Sequence, residues 1–301
     1  MENFVNLIVL NYNNYQETSN FVKIMEERRQ IDQIIVVDNA STDRSYEYLW
    51  RLRNKKVHVI QATKNGGYSA GNNFGIFYGL KHFKPQFFLI ANPDIAISEE
   101  DLDQFIKNLA DLPKKTGIVA PIMLTKEKSQ AYNSGWQLPS YGSDLLATSL
   151  ILNKFFKKRN SYGSLPDEKK LIPVDVLPGS FFAISAEALE EIGYLDETTF
   201  LYCEERILSY KLRAHSYRNF LDSRFVYFHD HGTTTKKQIS KLKQQEIYFS
   251  SIRYYLNHYL QVSTWQKNVF SFFAYAGLLE RKLIYSWQDW LLEKRQKNGE
   301  N

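Results

Sequence analysis

The sequence predicts an α/β fold, a mostly parallel central sheet flanked by helices, with a helical extension at the carboxyl terminus. Two observations carry this. Short runs of apolar residues are continuous rather than alternating, as in strands buried on both faces. Helical patterns separate them, and strand–helix alternation implies parallel pairing through right-handed crossovers. Leu7 to Leu10, Ile34 to Val37, Val57 to Ile60, Phe87 to Ile90 and Ile118 to Val119 are the expected strands.

The helices between them have readable starts. Asn14 followed by Glu17, and Ser98 followed by Asp101, resemble capping boxes. After Ser98, Leu102, Phe105, Ile106 and Leu109 fall at i, i+3, i+4 and i+7, the stripe of an amphipathic helix. From about Leu138 to Pro173 the pattern weakens. Pro139, Gly142, Gly163 and Pro166 punctuate it, and Lys154, Lys157, Lys158, Arg159, Lys169 and Lys170 make it basic. That segment reads either as a flap or as a solvated loop. Phe225 to Phe228 forms a last strand-like run, and beyond about Lys236 the chain turns helical.

Composition narrows the class. The chain has 301 residues, 44% hydrophobic and 24% charged, with a net charge of +5 and no dense basic stripe of the kind that tracks nucleic acid. Cys203 is the only cysteine, so an intrachain disulfide is excluded and a reducing compartment is expected. The start of the chain reads as strand (NLIVL) rather than signal peptide, and Val269 to Leu279 is too short to span a bilayer. A cytoplasmic protein is expected, either free or held at the inner face of the cell membrane.

Candidate chemistry gathers at strand ends. The run FFLIANPDI ends in Asn92-Pro93-Asp94, and Pro93 cannot donate to a sheet ladder, so the strand stops there. Asp94 is thereby presented at the carboxyl edge of the sheet, where open α/β folds bind ligands and where a carboxylate can hold a hard divalent cation. The second strand ends in Asp38-Asn39-Ala40-Ser41-Thr42-Asp43; Asp38 would face the same crevice and accept hydrogen bonds from a base or ribose, while Ser41 or Thr42 caps the next helix. The third leads to Asn65-Gly66-Gly67-Tyr68-Ser69-Ala70-Gly71-Asn72-Asn73, whose glycines let backbone N–H groups approach a diphosphate. This is neither a Walker loop nor the dinucleotide fingerprint, which belongs after the first strand, where the chain has Asn11-Tyr12-Asn13-Asn14. Farther on, Pro178-Gly179-Ser180 precedes Glu204-Glu205, which open a helix whose positive end favours an ionised, basic carboxylate. Each of these segments alone also reads as ordinary turn, cap or first-turn chemistry.

In this order and spacing the segments resemble the inverting glycosyltransferases of family 2, including rhamnosyltransferase-like enzymes of bacterial surface polysaccharide synthesis. The resemblance runs from about Asn6 to Thr234. It implies a GT-A fold with a catalytic domain over 1–235, split into a nucleotide-sugar half (1–120) and an acceptor half (121–235), followed by an aromatic-rich helical extension over 236–301. It implies a UDP- or dTDP-sugar donor, a saccharide or lipid-linked saccharide acceptor and a Mg2+ or Mn2+ cofactor. Residue by residue, Asp38 would contact the base with Asn11 and Tyr12 lining its pocket. Asn39, Gly67, Asn72 and Asn92 would lie along the donor. Asp94 would ligate the metal, with His229 approaching from the far side; His231 could exchange with His229. Glu205 would be the general base, with Glu204 as second choice because relatives usually carry Glu-Asp there. A non-catalytic nucleotide-sugar-binding or interaction protein of the same fold is the alternative. Sugar-1-phosphate nucleotidyltransferases are disfavoured, since Asn11 to Tyr15 offers no basic glycine-rich loop.

In the extension, three of the five tryptophans, Trp265, Trp287 and Trp290, accompany many Tyr and Phe residues, with Arg281, Lys282, Lys294, Arg295 and Lys297 interleaved or following. Such helices suit the headgroup zone of an anionic membrane; they equally suit packing on the catalytic domain or in a homo-oligomer.

Overall fold

The computed structural model describes residues 4–124, 134–156, 162, 170–229 and 240–297. His231, Lys157, Lys158, Arg159, Gly163, Pro166 and Lys169 lie outside the described residues, as do the side chains of Lys294, Arg295 and Lys297. By its contacts the chain divides into two compact units, one of residues 1–138 and 161–238, the other of 139–160 and 239–301.

In the first unit, β1 (Val5–Asn11), β2 (Gln33–Asp38), β3 (Val57–Gln61) and β4 (Phe87–Ala91) pair in parallel in the order β3-β2-β1-β4. All four expected runs lie within these strands. The sheet continues with β8 (Phe181–Ser185), β6 (Thr116–Leu124), β9 (Arg218–His229) and β5 (Ile95–Ile97), and β7 (Leu171–Val174) pairs with β9. The parallel character belongs to the β3-β2-β1-β4 half. Beyond β4 the sheet is mixed, because β8 inserts antiparallel to both β4 and β6.

Both faces are covered, which is why the strand runs are apolar throughout. Val5, Leu7 and Val9 of β1 point into one core with Phe21, Val22 and Met25 of α1 (Tyr15–Glu26) and Leu102, Phe105 and Ile106 of α4 (Glu99–Lys107). Ile8 points the other way, into a second core with Ile76 of α3 (Gly67–His82), Leu189 of α7 (Ala186–Glu191) and Leu208 and Leu212 of α8 (Glu204–Ala214). The Ser98 cap forms as expected, its hydroxyl accepting from the Asp101 N–H at 3.0 Å. The Asn14 cap does not: the Asn14 side chain caps no backbone N–H and its amide donates to the Glu17 carboxylate instead. Nor do Ser41 or Thr42 cap α2 (Ser45–Trp50); Asp43 accepts from the Ser45 N–H at 2.9 Å.

In the second unit the described part of the weakly patterned, basic segment holds two short helices, α5 (Tyr141–Ala147) and α6 (Leu150–Phe156). They belong by contacts with α9 (Lys241–His258) and α10 (Thr264–Lys297), so residues 139–160 fall outside the expected 121–235 half. The reason is electrostatic and local to α10. Arg281, 2% exposed, donates to the carbonyls of Thr148 and Ala147 at the end of α5. The adjacent Glu280 accepts from the N–H groups of Leu150 and Ile151 at 3.1 Å each, at the start of α6. A cation thus meets the negative end of one helix and an anion the positive end of the next.

Candidate active site at the carboxyl edge of the sheet

The site lies where β1, β2 and β4 end. Asn11 and Asp38 are register partners across β1 and β2, and both are buried. Asp38 accepts from Asn11 Nδ2 (2.9 Å), Ser41 Oγ (2.6 Å), the Ser41 N–H (3.1 Å) and Gln61 Nε2 (3.2 Å). Thr18 donates to Asn11 Oδ1 at 2.8 Å. The two residues meet as expected, but as a closed set: Asp38 is 0% exposed and its lone pairs are taken. They hold the turns after β1 and β2 together, and Tyr12, which follows Asn11, is half-buried.

The glycine-rich turn is tied to two later segments. Gly67 has φ +87°, and a Cβ there would lie 2.1 Å from the Phe200 carbonyl oxygen, so only glycine fits. The Tyr68 N–H donates to that same oxygen at 3.3 Å, and the Tyr68 hydroxyl donates to the Gly179 carbonyl at 2.5 Å. Asn73 is bonded to both the N–H (3.1 Å) and the carbonyl (2.9 Å) of Leu195. Asn39 donates to Asn65 Oδ1 (3.0 Å) and the Gly67 carbonyl (3.1 Å), and Asn72 to the Tyr68 carbonyl (2.9 Å). This motif therefore anchors the loops that lead into α8, a use that Tyr68 and Asn73 share and that sequence spacing does not reveal.

Those loops aim the acidic pair. Tyr202 and Cys203 sit at φ +70° and +69°, two consecutive left-handed residues that turn the chain sharply into α8. Cys203 is buried at this turn. Glu204 and Glu205 follow as the first residues of the helix. The Glu205 carboxylate lies against Gly179, where an added Cβ would be 3.3 Å from Glu205 Oε1 and 3.3 Å from the Tyr68 hydroxyl. Burial raises the pKa of both glutamates; the neighbouring Glu205 charge raises Glu204 further, to about 8, while the N–H of Gly179 and Arg206 partly offset burial at Glu205. Near neutrality Glu204 keeps its proton. Burial, and then the Glu205 charge, push the Tyr68 hydroxyl well up, so it stays a donor.

At the end of β4, the Asn92 N–H donates to the Ser180 carbonyl at 2.8 Å, and Ser180 is the neighbour of Gly179. Asp94, Asn92, Ser180, Gly179 and Glu205 thus follow one another along a single sheet edge. Ile95 pairs with His229 in the β5–β9 ladder, which brings His229 Nε2 to 3.2 Å from Asp94 Oδ1. That Asp94 oxygen is buried with no well-aligned hydrogen-bond donor, an arrangement suited to a hard cation. No cluster of three or more His, Cys, Asp or Glu ligands exists among the described residues, so a cation here would draw its remaining ligands from a bound phosphate and water. Beneath the pair, the buried Ser180 and Tyr227 hydroxyls are 2.8 Å apart. A separate groove of about 860 Å³, lined in part by Gln86, Thr116, Ser185 and Tyr217, opens at the opposite ends of β4, β6 and β8 and holds none of these residues.

Comparison with known proteins places the family and the fold. Residues 7–193 match the family described as Glycosyl transferase family 2. The low-salt glycan biosynthesis hexosyltransferase Agl10 of Haloferax volcanii is 30% identical over 212 residues, 69% of this chain and 61% of that protein; the chain thus matches less than two thirds of that relative's length. Among solved structures, the mannosyltransferase PcManGT of Pyrobaculum calidifontis, in complex with GDP-Man and Mn2+, superposes with a TM-score of 0.58 over 100% of this chain and 84% of its own at 13% identity. GalNAc-T7 with UDP, GalNAc and Mn2+ gives 0.60 over 84% and 47% at 12% identity. At such identities these two likenesses speak for the fold alone, the GT-A arrangement. The match over most of the first unit, on a fold shared with other glycosyltransferases, is decisive: this chain belongs to glycosyltransferase family 2.

Proposed function

We propose that the chain is a metal-dependent inverting glycosyltransferase that moves a sugar from a UDP- or dTDP-sugar to a saccharide or lipid-linked saccharide acceptor, in the synthesis of a surface polysaccharide or glycoconjugate. The observation that carries the reading is the order Asp94, Asn92, Ser180, Gly179, Glu205 along one sheet edge, with a glutamate at one end and a carboxylate–imidazole pair at the other. A sugar hydroxyl is a poor nucleophile, so a base must take its proton as it attacks the anomeric carbon. Glu205 is that base. The acceptor oxygen forms its bond to carbon as the bond to the diphosphate breaks, the proton passes to Glu205, and the electron pair leaves with the nucleoside diphosphate. Asp94 and His229 would hold a Mg2+ or Mn2+ ion, which when bound supplies Lewis-acid stabilisation of the diphosphate. Tyr12 lies against the base, in a pocket whose shape Asn11 and Asp38 maintain. Asn39, Gly67 and Asn72 border the donor while anchoring the turn. Glu204, held protonated, keeps a second negative charge away from the departing phosphate.

Two relatives with this fold carry Mn2+ together with a nucleotide or nucleotide sugar, and a 30%-identical relative is named a hexosyltransferase, which favours catalysis over mere binding. Thermal-shift screening with UDP, dTDP, GDP and CDP sugars, with and without Mn2+, tests donor and metal together. The expected result is stabilisation by a uridine or thymidine diphosphate sugar that depends on Mn2+. Equal stabilisation with and without the ion would remove metal dependence, and release of no nucleoside diphosphate in a sensitive hydrolysis assay would favour a binding protein.

A further inference from the structure

The inner face of α10 is settled by its own unit: Phe270, Ala274 and Arg281 are buried, and Phe249 of α9 meets Phe270 edge-on. The opposite face is apolar and exposed. Trp265, Phe272, Leu279, Leu283, Trp287 and Trp290 are 71, 68, 46, 72, 61 and 53% exposed. Their spacings of seven, seven, four, four and three keep them on one stripe of a 3.6-residue helix, about 38 Å long at the ordinary rise. Soluble surfaces rarely leave so continuous an apolar strip uncovered. Among the described residues no helix is long and apolar enough to cross a membrane, so a stripe of this kind would lie in an interface rather than span one.

Charge selects the occupant. The unit that contains α10 (139–160 and 239–301) has 13 Lys and Arg against 6 Asp and Glu, a net +7, whereas the whole chain is +5; the catalytic unit is left at −2. On the helix itself, Lys282 is exposed beside the stripe, while Glu280, next to Leu279, is turned inward to cap α6. A second copy docking through this face would bring two units of net +7 together, since a two-fold interface pairs a patch with itself. Trp, Phe and Leu flanked by Lys on a charged background fit an anionic headgroup layer, where tryptophan rings sit at the boundary and lysines reach lipid phosphates. We propose that the outer face of α10 seats in the surface of an anionic phospholipid bilayer and holds the protein at the membrane.

The test is flotation of the full chain with vesicles of phosphatidylglycerol and phosphatidylcholine, and with phosphatidylcholine alone. The protein should float with the anionic vesicles, with a blue shift of tryptophan fluorescence, and far less with the neutral ones. Lys282→Gln should weaken partitioning about fivefold, the worth of one basic residue near an anionic surface. The double variant Leu279→Ser, Leu283→Ser should weaken it by more than about tenfold, because two exposed leucines no longer enter the apolar zone. Both variants change exposed residues, so melting temperature and donor binding should stay unchanged. Absence of flotation with anionic vesicles, or equal flotation of the double variant, overturns the proposal. So does a dimer in analytical ultracentrifugation that the double variant dissolves, or capture by an acidic protein in place of lipid.

Discussion

Glu204→Gln separates the two glutamates at the head of α8. Glu204 is 8% exposed, and burial with the adjacent Glu205 charge raises its carboxyl from 4.5 to about 8. In the unfolded chain the group ionises near its ordinary value; in the folded protein it keeps its proton up to about pH 8. The folded state therefore binds the extra proton across that window, and its stability falls as pH rises from the unfolded to the folded pKa. At pH 7 the loss is about 3 kcal/mol, from about 1.4 kcal/mol for each unit between the unfolded value and the working pH. Glutamine is neutral in both states and similar in shape, so the variant escapes this loss. Its melting temperature should exceed that of the parent by up to roughly 6–12 °C at pH 7, at about 2–4 °C per kcal/mol for a unit of this size. The gain should become small near pH 4.5, where the folded carboxyl is protonated and the unfolded one is half protonated. Differential scanning calorimetry or fluorimetry from pH 4.5 to 8 measures it, with transfer assayed in parallel and expected to persist. A gain that is constant with pH, or no gain over the parent at pH 7, would refute the assignment of the proton to Glu204.

Three further outcomes follow from the site. Glu205→Gln should lower kcat by about 10²–10⁴-fold with donor affinity retained, as expected when a general base is lost; in the parent, kcat/KM should fall on the acid side at a pH above the ordinary glutamate range, because burial raises Glu205. Near-normal turnover of the variant would remove Glu205 as base. Asp94→Ala should abolish the Mn2+-dependent part of donor-induced stabilisation while leaving the melting temperature without ligand close to that of the parent; an unchanged Mn2+ effect contradicts its role. Gly67→Ala should cost about 3 kcal/mol or more, since the new methyl meets the Phe200 carbonyl at a positive φ, and should reduce transfer by displacing the loop before Glu204. A variant as stable and active as the parent would sink the anchoring role given to this turn.

How much of this was legible in the sequence depends on the range of the interactions involved. The β1 to β4 runs could be read because burial on both faces leaves no polar alternation, and Ser98 because its cap is made three residues away. Asp94 was legible because Pro93 has to end the strand. The antiparallel entry of β8 was not, since an apolar run does not record the direction of its partners. Asn14 and Ser41 show the limit even at short range: each has the right residue type for a cap, but Glu17 claims the Asn14 amide, and Asp38 claims the Ser41 hydroxyl. The helices α5 and α6 escaped because Arg281 and Glu280, some 130 positions away, supply their end contacts. Within the site, residue types and spacing marked Asp94 and the glutamate pair, whereas His229 came only with the family resemblance. The choice between Glu205 and Glu204 depends on the Gly179 N–H and on relative burial, both tertiary, and the anchoring work of Tyr68 and Asn73 depends on partners more than a hundred residues later.

The most direct measurement is the position of Mn2+ and donor in crystals of the protein grown with Mn2+ and the uridine or thymidine diphosphate sugar that stabilises it. The account predicts an anomalous peak between Asp94 and His229, with the anomeric carbon of the sugar open toward Glu205. A metal bound elsewhere, or a sugar whose anomeric carbon is screened from Glu205 by the diphosphate, would contradict it.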